Sequence, residues 1–445
     1  MLVDVDRVIR GGRILTMDGR GAAIQDGAVA VHGTDIVAVG ETKEVESRFR
    51  GREVIGADQC LVMPGLINCH THAAMTCFRG IADDLSLMDW LNNYIFPAEA
   101  KNVDRELAYW GSLLACAEMI KSGTTTFCDM YIFEDETAMA SHRAGMRCLL
   151  GEVLFDFPSP NFKTPKEGLE YTGKLIEKWA DDPLVKIFVE PHALYTCSPE
   201  LLRESKSLAD RYAVPYGMHF LETRSELESL KEKFGKKPIR MLDELGLLDE
   251  RFIAFHGVWM DDEDMTSFAK KNCKVVHNPE SNMKLASGVA PVPDMISAGV
   301  IVGLGTDGCA SNNNLDMFQE MDMTAKLHKV HRLDPTVMNA ETVVDIATCK
   351  GAKVLGMEKL VGSLRPGMKA DITIINLNKP HLTPIYNEYS HMVYAANGAD
   401  VETVLINGKV VMRDRKLLTI DEEEVMARVR DIAQRIRKSL NLPQE

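Results

Sequence analysis

The sequence lacks the features of several large protein classes. Its ten cysteines form no C-x-x-C pair and have no regular spacing, which argues against a disulfide scaffold and predicts free thiols in a reducing cytoplasm. No apolar run approaches the roughly 18 residues of a membrane span, and the N-terminus has acids and arginines where a signal peptide has an apolar core. We therefore expect a cytoplasmic protein with no membrane partner.

Positive charge is also scarce. With 51 Lys and Arg against 65 Asp and Glu, the net charge is -14. Phosphate binding needs concentrated positive charge, so the composition argues against a nucleic-acid partner and favours a small neutral or cationic ligand. Hydrophobic residues make up 45% and charged residues 26% of the 445 positions, which predicts a globular protein with a large core.

The chain divides into three parts by its residue pattern. Residues 1–59 alternate apolar and polar positions between glycine-containing turns, and the same pattern returns in 365–445 before an amphipathic helix near 421–440. The two terminal blocks are predicted to complete one small β domain. The long middle segment, 60–364, is predicted to fold as a separate catalytic domain between them.

The middle segment alternates short apolar runs with stretches of helical period. Starting from "LVMPGLINCHTH", it contains eight strand candidates, each of the later seven preceded by a plausible helix. Such alternation predicts a parallel sheet, and eight units can close into a (β/α)8 barrel of the α/β class. An open doubly wound sheet is the alternative.

Histidines and acids follow the ends of these predicted strands. In a parallel barrel the carboxyl ends of all strands meet on one face, where active sites of this architecture lie. The residues placed there are His70, His72, His192, His219, Glu222, His256, His277, Asn278 and Asp307.

The pair His70 and His72 suggests a metal site. Side chains alternate along a strand, so these two imidazoles point the same way. With His219 and Asp307 they make a plausible ligand set for a divalent transition metal, and imidazole favours Zn, Fe, Co, Ni or Cu over Mg or Ca. The alternative is that these histidines are hydrogen-bonded core residues.

Five motifs resemble the amidohydrolase superfamily, in particular its 5-methylthioadenosine/S-adenosylhomocysteine deaminase branch. They are "MPGLINCHTH", "HFLET", "FHGVWM", "NPESNMKLASG" and "GLGTDGCASNN". The resemblance implies a distorted barrel with a small β-sandwich built from both termini. It also implies the metal ligands His70, His72, His219 and Asp307. No lysine that could bridge two metals ends a central strand, which favours one ion, Zn2+ first and Fe2+ as the alternative.

The same resemblance implies hydrolytic deamination of an adenine nucleoside to the inosine analogue and ammonia. Glu222 and His256 would handle protons beside the ring, while Asp307 would also accept a proton from the attacking water. The alternatives are a deaminase or chlorohydrolase acting on guanine, a pterin or an s-triazine, and a metal-free scaffold protein. Because chloride leaves without a proton, the presence of both Glu222 and Asp307 favours loss of ammonia.

Substrate contacts are predicted for three further residues. By the resemblance, Glu99 would bind both ribose hydroxyls and His192 would contact the purine. Trp90 would stack on the base or a thioalkyl group, or anchor its loop. Some relatives grip the homocysteine carboxylate with arginines after the third barrel strand, but "GEVLFDFPSPNF" contains none, which favours uncharged adenosines. We also expect a homo-oligomer.

Overall fold

A computed structural model describes residues 2–442 and contains 18 strands. The strands of the N-terminal segment are β1 (Val3–Ile14), β2 (Ile24–His32), β3 (Asp35–Glu41), β4 (Phe49–Gly56) and β5 (Cys60–Pro64). Those of the middle segment are β6 (Leu66–Thr71), β7 (Thr124–Tyr131), β8 (Arg147–Leu154), β9 (Val185–Ile187), β10 (Glu190–Pro191), β11 (Tyr216–Phe220), β12 (Phe252–His256), β13 (Lys274–His277) and β14 (Ile301–Leu304). The last four are β15 (Ile372–Asn376), β16 (Val401–Ile406), β17 (Lys409–Arg413) and β18 (Lys416–Leu417).

The helices lie mainly between the strands of the middle segment. In chain order they are α1 (Thr42–Arg48), α2 (Leu87–Asp89), α3 (Phe96–Asn102), α4 (Arg105–Lys121), α5 (Glu134–Ala144), α6 (Pro165–Trp179), α7 (Pro199–Tyr212), α8 (Arg224–Phe234), α9 (Pro238–Glu244), α10 (Asp262–Lys271), α11 (Pro279–Lys284), α12 (Val292–Ser297), α13 (Met317–Arg332), α14 (Ala340–Ile346), α15 (Cys349–Val354), α16 (Glu388–Tyr394) and α17 (Glu422–Leu440). Short 3-10 helices cover Ala73–Phe78, Pro380–Leu382 and Gly398–Asp400, and a π-helical turn covers Trp90–Ile95. None of the helices in the described range is long and apolar enough to cross a lipid bilayer.

Strands from both ends of the sequence form one mixed sheet. Its order is β18-β17-β16-β15-β5-β1-β2-β3, and β4 pairs with β1. The junction is β5, which runs parallel to β1 and antiparallel to β15. The C-terminal strands therefore complete a sheet that the N-terminal strands begin, as the residue pattern predicted.

The middle strands form a parallel barrel with irregular joins. One arc has the order β10-β8-β7-β6 with β9 on β8, and the other has β11-β12-β13-β14. Isolated bridges Val189↔Tyr216 and Ala193↔His219 join the arcs on one side. On the other side the Asp307 amide donates to the His70 carbonyl at 2.9 Å. Because β9 and β10 are pieces of one barrel strand, the arcs make a distorted (β/α)8 barrel, which confirms the predicted fold class.

The stretch predicted as one first strand is divided at Gly65. Residues Cys60–Pro64 belong to the mixed sheet, and only Leu66–Thr71 belongs to the barrel. A Cβ atom at Gly65 would lie 2.1 Å from the Thr125 side chain, so the chain can pass this point only without a side chain. The extent predicted for that strand is therefore wrong, because a continuous apolar run does not reveal a change of sheet. The division of the whole chain at residues 59 and 364 stays a prediction.

A buried ion pair connects the barrel to the mixed sheet. Arg147, at the start of β8, donates from Nε and Nη2 to the two carboxylate oxygens of Asp371 at 2.8 and 3.0 Å. The two side chains are only 3% and 2% exposed. This contact lies at the amino-terminal end of the barrel, opposite the carboxyl ends of the parallel strands.

Candidate active site

The four predicted metal ligands lie together at the carboxyl end of the barrel. His72 Nε2 and His70 Nε2 are 3.1 and 3.5 Å from Asp307 Oδ1. The His219 ring lies 5.0 Å from the His70 ring and 5.5 Å from the His72 ring, measured between centroids. Residues separated by more than 200 positions in the chain thus surround one point.

This donor set fits a divalent transition metal. His70, His72 and His219 each present a ring nitrogen within 4.8 Å of the others. Neither ring nitrogen of His70 has a hydrogen-bond partner within the described part of the chain, although the residue is completely buried. A buried imidazole without a partner is costly, and coordination would remove that cost.

The backbone directs the other two imidazoles. His72 Nδ1 is 2.5 Å from the Met130 carbonyl, and His219 Nδ1 is 3.1 Å from the His192 carbonyl. A carbonyl can only accept, so these contacts place the proton on Nδ1 and leave the Nε2 lone pair free. Such contacts orient metal-binding histidines and raise their basicity.

Asp307 is held as a carboxylate by its surroundings. Its Oδ2 accepts from the Ser281 and Ser311 hydroxyls at 2.6 and 2.9 Å. Burial alone would raise the pKa of Asp307, but contacts with the imidazoles of His70 and His72 hold it well below the usual range. Its backbone is left-handed, with φ of 62°, a conformation that short polar residues tolerate and that occurs often at functional sites.

Glu222 and His256 form the predicted proton-handling pair next to these ligands. Glu222 Oε2 is 3.7 Å from His256 Nε2, and both side chains are buried. Burial raises the pKa of Glu222 to about 7, the charge of Asp307 adds to the effect, and His256 opposes it. A carboxyl group with a pKa near neutrality can both donate and accept a proton.

Glu226 positions the loop that carries Glu222. Its two carboxylate oxygens accept the backbone N–H groups of Leu221 and Glu222 at 3.0 and 2.8 Å. Glu226 was not among the residues predicted from the sequence. The Thr223-x-x-Glu226 spacing at the start of α8 is a helix-capping pattern that marks the glutamate, but only the fold shows that its side chain reaches back to Glu222.

Asp129 fixes the segment that carries the paired histidines. Its Oδ1 accepts the Ala73 amide at 2.5 Å and the Thr71 hydroxyl at 3.0 Å, on either side of His72. Burial raises the pKa of Asp129, and hydrogen bonds to it lower that value again. This aspartate in "CDMY" was also missed, since nothing local distinguishes it from an ordinary strand residue.

A cavity opens above the cluster. On the cluster side it is lined by His72, His219, Glu222, His256 and Asp307, and on the other side mainly by apolar and aromatic residues. Part of that second wall comes from α3 and from the π-helical turn before it. Turns of this kind occur often at functional sites.

The three predicted substrate residues all lie on the cavity wall. Burial raises the pKa of Glu99 to about 7. Its carboxyl group faces the Tyr131 hydroxyl, and that hydroxyl makes no close hydrogen bond in the described part of the chain. Burial lowers the pKa of His192 to about 3, so its ring is neutral. The Trp90 indole N–H is buried without a partner among the described residues. Whether these groups contact a substrate stays a prediction, and Tyr131 was not foreseen.

Comparison with known proteins adds independent information. A model described as "Amidohydrolase family" matches residues 61–411. The sequence is 64% identical over 440 residues to a 5-methylthioadenosine/S-adenosylhomocysteine deaminase 1 of Syntrophus aciditrophicus (strain SB), covering 99% of each chain. It is 44% identical over 438 residues to a 5'-deoxyadenosine deaminase of Methanosarcina barkeri (strain Fusaro / DSM 804), covering 98% of this chain and 99% of the other.

A solved structure extends the likeness to three dimensions. A crystal structure described as an adenosine deaminase from Xanthomonas campestris with bound Zn has a TM-score of 0.97 and 36% sequence identity. The likeness covers 98% of this chain and all of the other. The resemblance inferred from the five motifs is thereby confirmed: the chain belongs to the amidohydrolase family.

Proposed function

We propose that the protein is a metal-dependent deaminase that hydrolyses an adenine nucleoside to its inosine analogue and ammonia. The substrates proposed are 5'-methylthioadenosine, adenosine, 5'-deoxyadenosine and S-adenosylhomocysteine. The observation that carries the proposal is the acid pair Glu222 and Asp307, which lines one cavity together with four imidazoles. The names of the relatives support the same reaction.

The metal would be held by His70, His72, His219 and Asp307. Zn2+ is the proposed ion, with Fe2+ as the alternative, and a single ion is proposed because the buried donors cluster around one point. A divalent ion bound there lowers the pKa of water towards neutrality and so makes water a nucleophile at neutral pH.

The residues around the ring would move protons in a fixed order. Glu222 protonates the ring nitrogen next to the amino-bearing carbon as water adds, and Asp307 accepts a proton from that water. As the added hydroxyl group becomes a carbonyl, Glu222 takes up its proton and passes it to the departing amino group while the C–N bond breaks. The proton on Asp307 then returns to Glu222, so water and substrate yield ammonia and a carbonyl at the same carbon, and both acids regain their starting states. His256 holds the attacking water by a hydrogen bond that its Nε2 accepts, because its Nδ1–H donates to Asn282 Oδ1 at 2.9 Å.

The sugar end would be bound by the opposite side of the cavity. Glu99 accepts hydrogen bonds from the two ribose hydroxyls, His192 contacts the purine, and Trp90 stacks on the base. The support is position, because all three side chains line the same cavity as the acid pair.

The proposal is tested with zinc-loaded protein and a panel of nucleosides and pterins. Adenosine or 5'-methylthioadenosine should lose absorbance at the adenine maximum and release one ammonia per turnover. Glu222→Gln should abolish turnover while the zinc content stays near one per chain, because Glu222 moves protons and does not bind the metal. The exposed Glu200→Gln serves as the matched control and should behave as wild type.

Two outcomes would contradict the assignment. Loss of zinc together with activity in Glu222→Gln would make Glu222 a metal ligand. No turnover of any compound in the panel by zinc-loaded wild type would contradict the deaminase itself.

Location and assembly belong to the same proposal. A reducing cytoplasm suits ten unpaired cysteines, nine of which are buried. A homo-oligomer is proposed as well, and light scattering coupled to gel filtration would measure its mass.

A further inference from the structure

The C-terminal helix α17 follows the last strand of the mixed sheet but packs on the barrel. Its buried residues are apolar and recur at helical spacing: Val425, Val429, Ile432 and Ile436. The helix contacts α3, α4 and the 3-10 helix that directly follows His72. An element at the far end of the sequence therefore packs against the part of the barrel that carries Glu99.

Two ion pairs show that α17 runs antiparallel to α4. Lys121 Nζ, at the end of α4, lies 2.7 Å from the carboxylate of Glu422 at the start of α17. Arg435, in the last turns of α17, lies 2.9 Å from Glu106 in the first turn of α4. Partly exposed pairs of this kind add little stability, but they define the orientation. The end of α17 therefore lies beside the start of α4, which closely follows α3 in the chain.

Ser439 connects α17 to α3 through one asparagine side chain. The Ser439 hydroxyl donates to Asn102 Oδ1 at 2.6 Å, and the Ile436 carbonyl is a second, more distant acceptor at 2.9 Å. Asn102 donates in turn from Nδ2 to the Ala98 carbonyl at 2.8 Å. Because Ala98 directly precedes Glu99, this chain of hydrogen bonds reaches the turn of α3 that carries the Glu99 carboxylate.

Apolar packing acts on the same helix. One buried cluster contains residues of α17, of α3 and of the π-helical turn before it, including Val429, Ile432, Ile436, Ala98, Trp90 and Ile95. The helix α3 has only seven residues, and an isolated helix of that length is not stable in water. Tertiary contacts must therefore hold α3 in place, and α17 supplies both apolar and hydrogen-bonding contacts.

We propose that α17 supports the ribose site and that Ser439 and Ile436 are positioning residues for Glu99. Neither residue lines the cavity. Ser439 acts on α3 through Asn102, and Ile436 acts through packing, so that the Glu99 carboxylate stays where both ribose hydroxyls can reach it. The inference rests on the proposed deaminase function and on the proposed ribose contact. It makes a helix that supplies no ligand or substrate contact a determinant of nucleoside binding.

The first test measures KM and kcat of zinc-loaded Ser439→Ala with two nucleosides. Loss of the hydroxyl should raise KM for adenosine about two- to ten-fold, the effect of one neutral hydrogen bond, while kcat and zinc content stay unchanged. KM for 2',3'-dideoxyadenosine, which lacks both ribose hydroxyls, should not change. Ser439→Thr keeps a hydroxyl and should behave as wild type. Gln434→Ala, on the exposed face of α17, is the matched control.

The second test compares two truncations on the buried face of α17. Ile436→Ala and Val425→Ala both remove buried methyl groups, and both should lower the melting temperature. Only Ile436→Ala should raise KM for adenosine, because Val425 lies near the start of the helix and belongs to a different apolar cluster. Equal effects of the two variants on KM would overturn the inference and leave α17 a purely structural helix.

Hydrogen exchange tests the support of α3 without any substrate. In Ser439→Ala the amides of residues 96–103 should exchange faster than in wild type, while those of α13 should not change. Unchanged exchange of residues 96–103, or a rise of KM that is equal for both nucleosides, would overturn the inference. If wild type turns over no nucleoside, the deaminase function is contradicted, and hydrogen exchange alone then decides whether α17 holds α3.

Discussion

Replacing Glu99 by glutamine is expected to raise KM for adenosine by roughly 30- to 150-fold with little change in kcat. Hydrogen bonds to a charged group contribute about 1.5–3 kcal/mol, against about 0.5–1.5 kcal/mol for a neutral pair. For two ribose hydroxyls the difference is about 2–3 kcal/mol, and each ~1.4 kcal/mol is a factor of ten. Glu99 is 7% exposed, so solvent does little to weaken these bonds.

The same residue should give adenosine binding a distinctive pH dependence. Burial raises the pKa of Glu99 to about 7, and the neighbouring Tyr131 and His72 lower it again. Only the ionised form accepts from both hydroxyls. KM for adenosine should therefore fall as pH rises through about 7 in wild type. In Glu99→Gln this dependence should disappear.

Steady-state kinetics on two substrates separate the ribose contact from a general defect. 2',3'-Dideoxyadenosine lacks both hydroxyls, so its KM should differ little between wild type and Glu99→Gln. The exposed Glu200→Gln again provides the control substitution. An equal rise of KM for both substrates would refute the ribose assignment and make Glu99 a structural residue of α3.

Two further predictions concern residues outside the cavity. Asp129→Ala should weaken zinc affinity about 10- to 100-fold, because the Thr71 hydroxyl and the Ala73 amide on either side of His72 lose their acceptor. Competition with a chelator measures this affinity, and an unchanged value would contradict a positioning role for Asp129. Glu190 is completely buried without hydrogen-bond partners in the described chain, and burial holds its pKa well above the usual range. Above the ordinary pKa of a glutamate, the Glu190 carboxyl ionises only in the unfolded protein. The free energy of unfolding of wild type should therefore fall by up to about 1.4 kcal/mol per pH unit, and that of Glu190→Gln should not show this loss. The melting temperature of the variant should thus exceed that of wild type increasingly between about pH 5 and 8, and parallel curves would contradict this.

The proposed ligands were predictable because their signals are local. His70 and His72 stand one residue apart behind an apolar run, and Asp307 follows another such run. Strand alternation and the rule that barrel strands share one active face then bring them together. No knowledge of the loops was needed for that step.

The supporting residues were not predictable in the same way. Tyr131 faces Glu99 only because β7 and α3 meet at the cavity. Glu226 accepts the Glu222 amide only because α8 starts directly after the loop that carries Glu222. The division of the first strand at Gly65 depends likewise on Thr125, a contact between neighbouring strands. These relations depend on how elements pack, which a single sequence does not specify.

The apolar wall and the acid chemistry are parts of one physical arrangement. Burial is the main cause that raises the pKa of both Glu222 and Glu99 to about 7. If water filled the outer cavity, the pKa of Glu222 would move back towards that of an exposed glutamate, and little of the acid would hold a proton at neutral pH. Side chains such as Trp90 and Phe155, which make no hydrogen bonds to the cluster or its acids, therefore help to keep Glu222, the proposed proton donor, protonated. On the proposed assignment, a barrel with the same four ligands but an open mouth would bind metal and still lack a donor for the leaving amine.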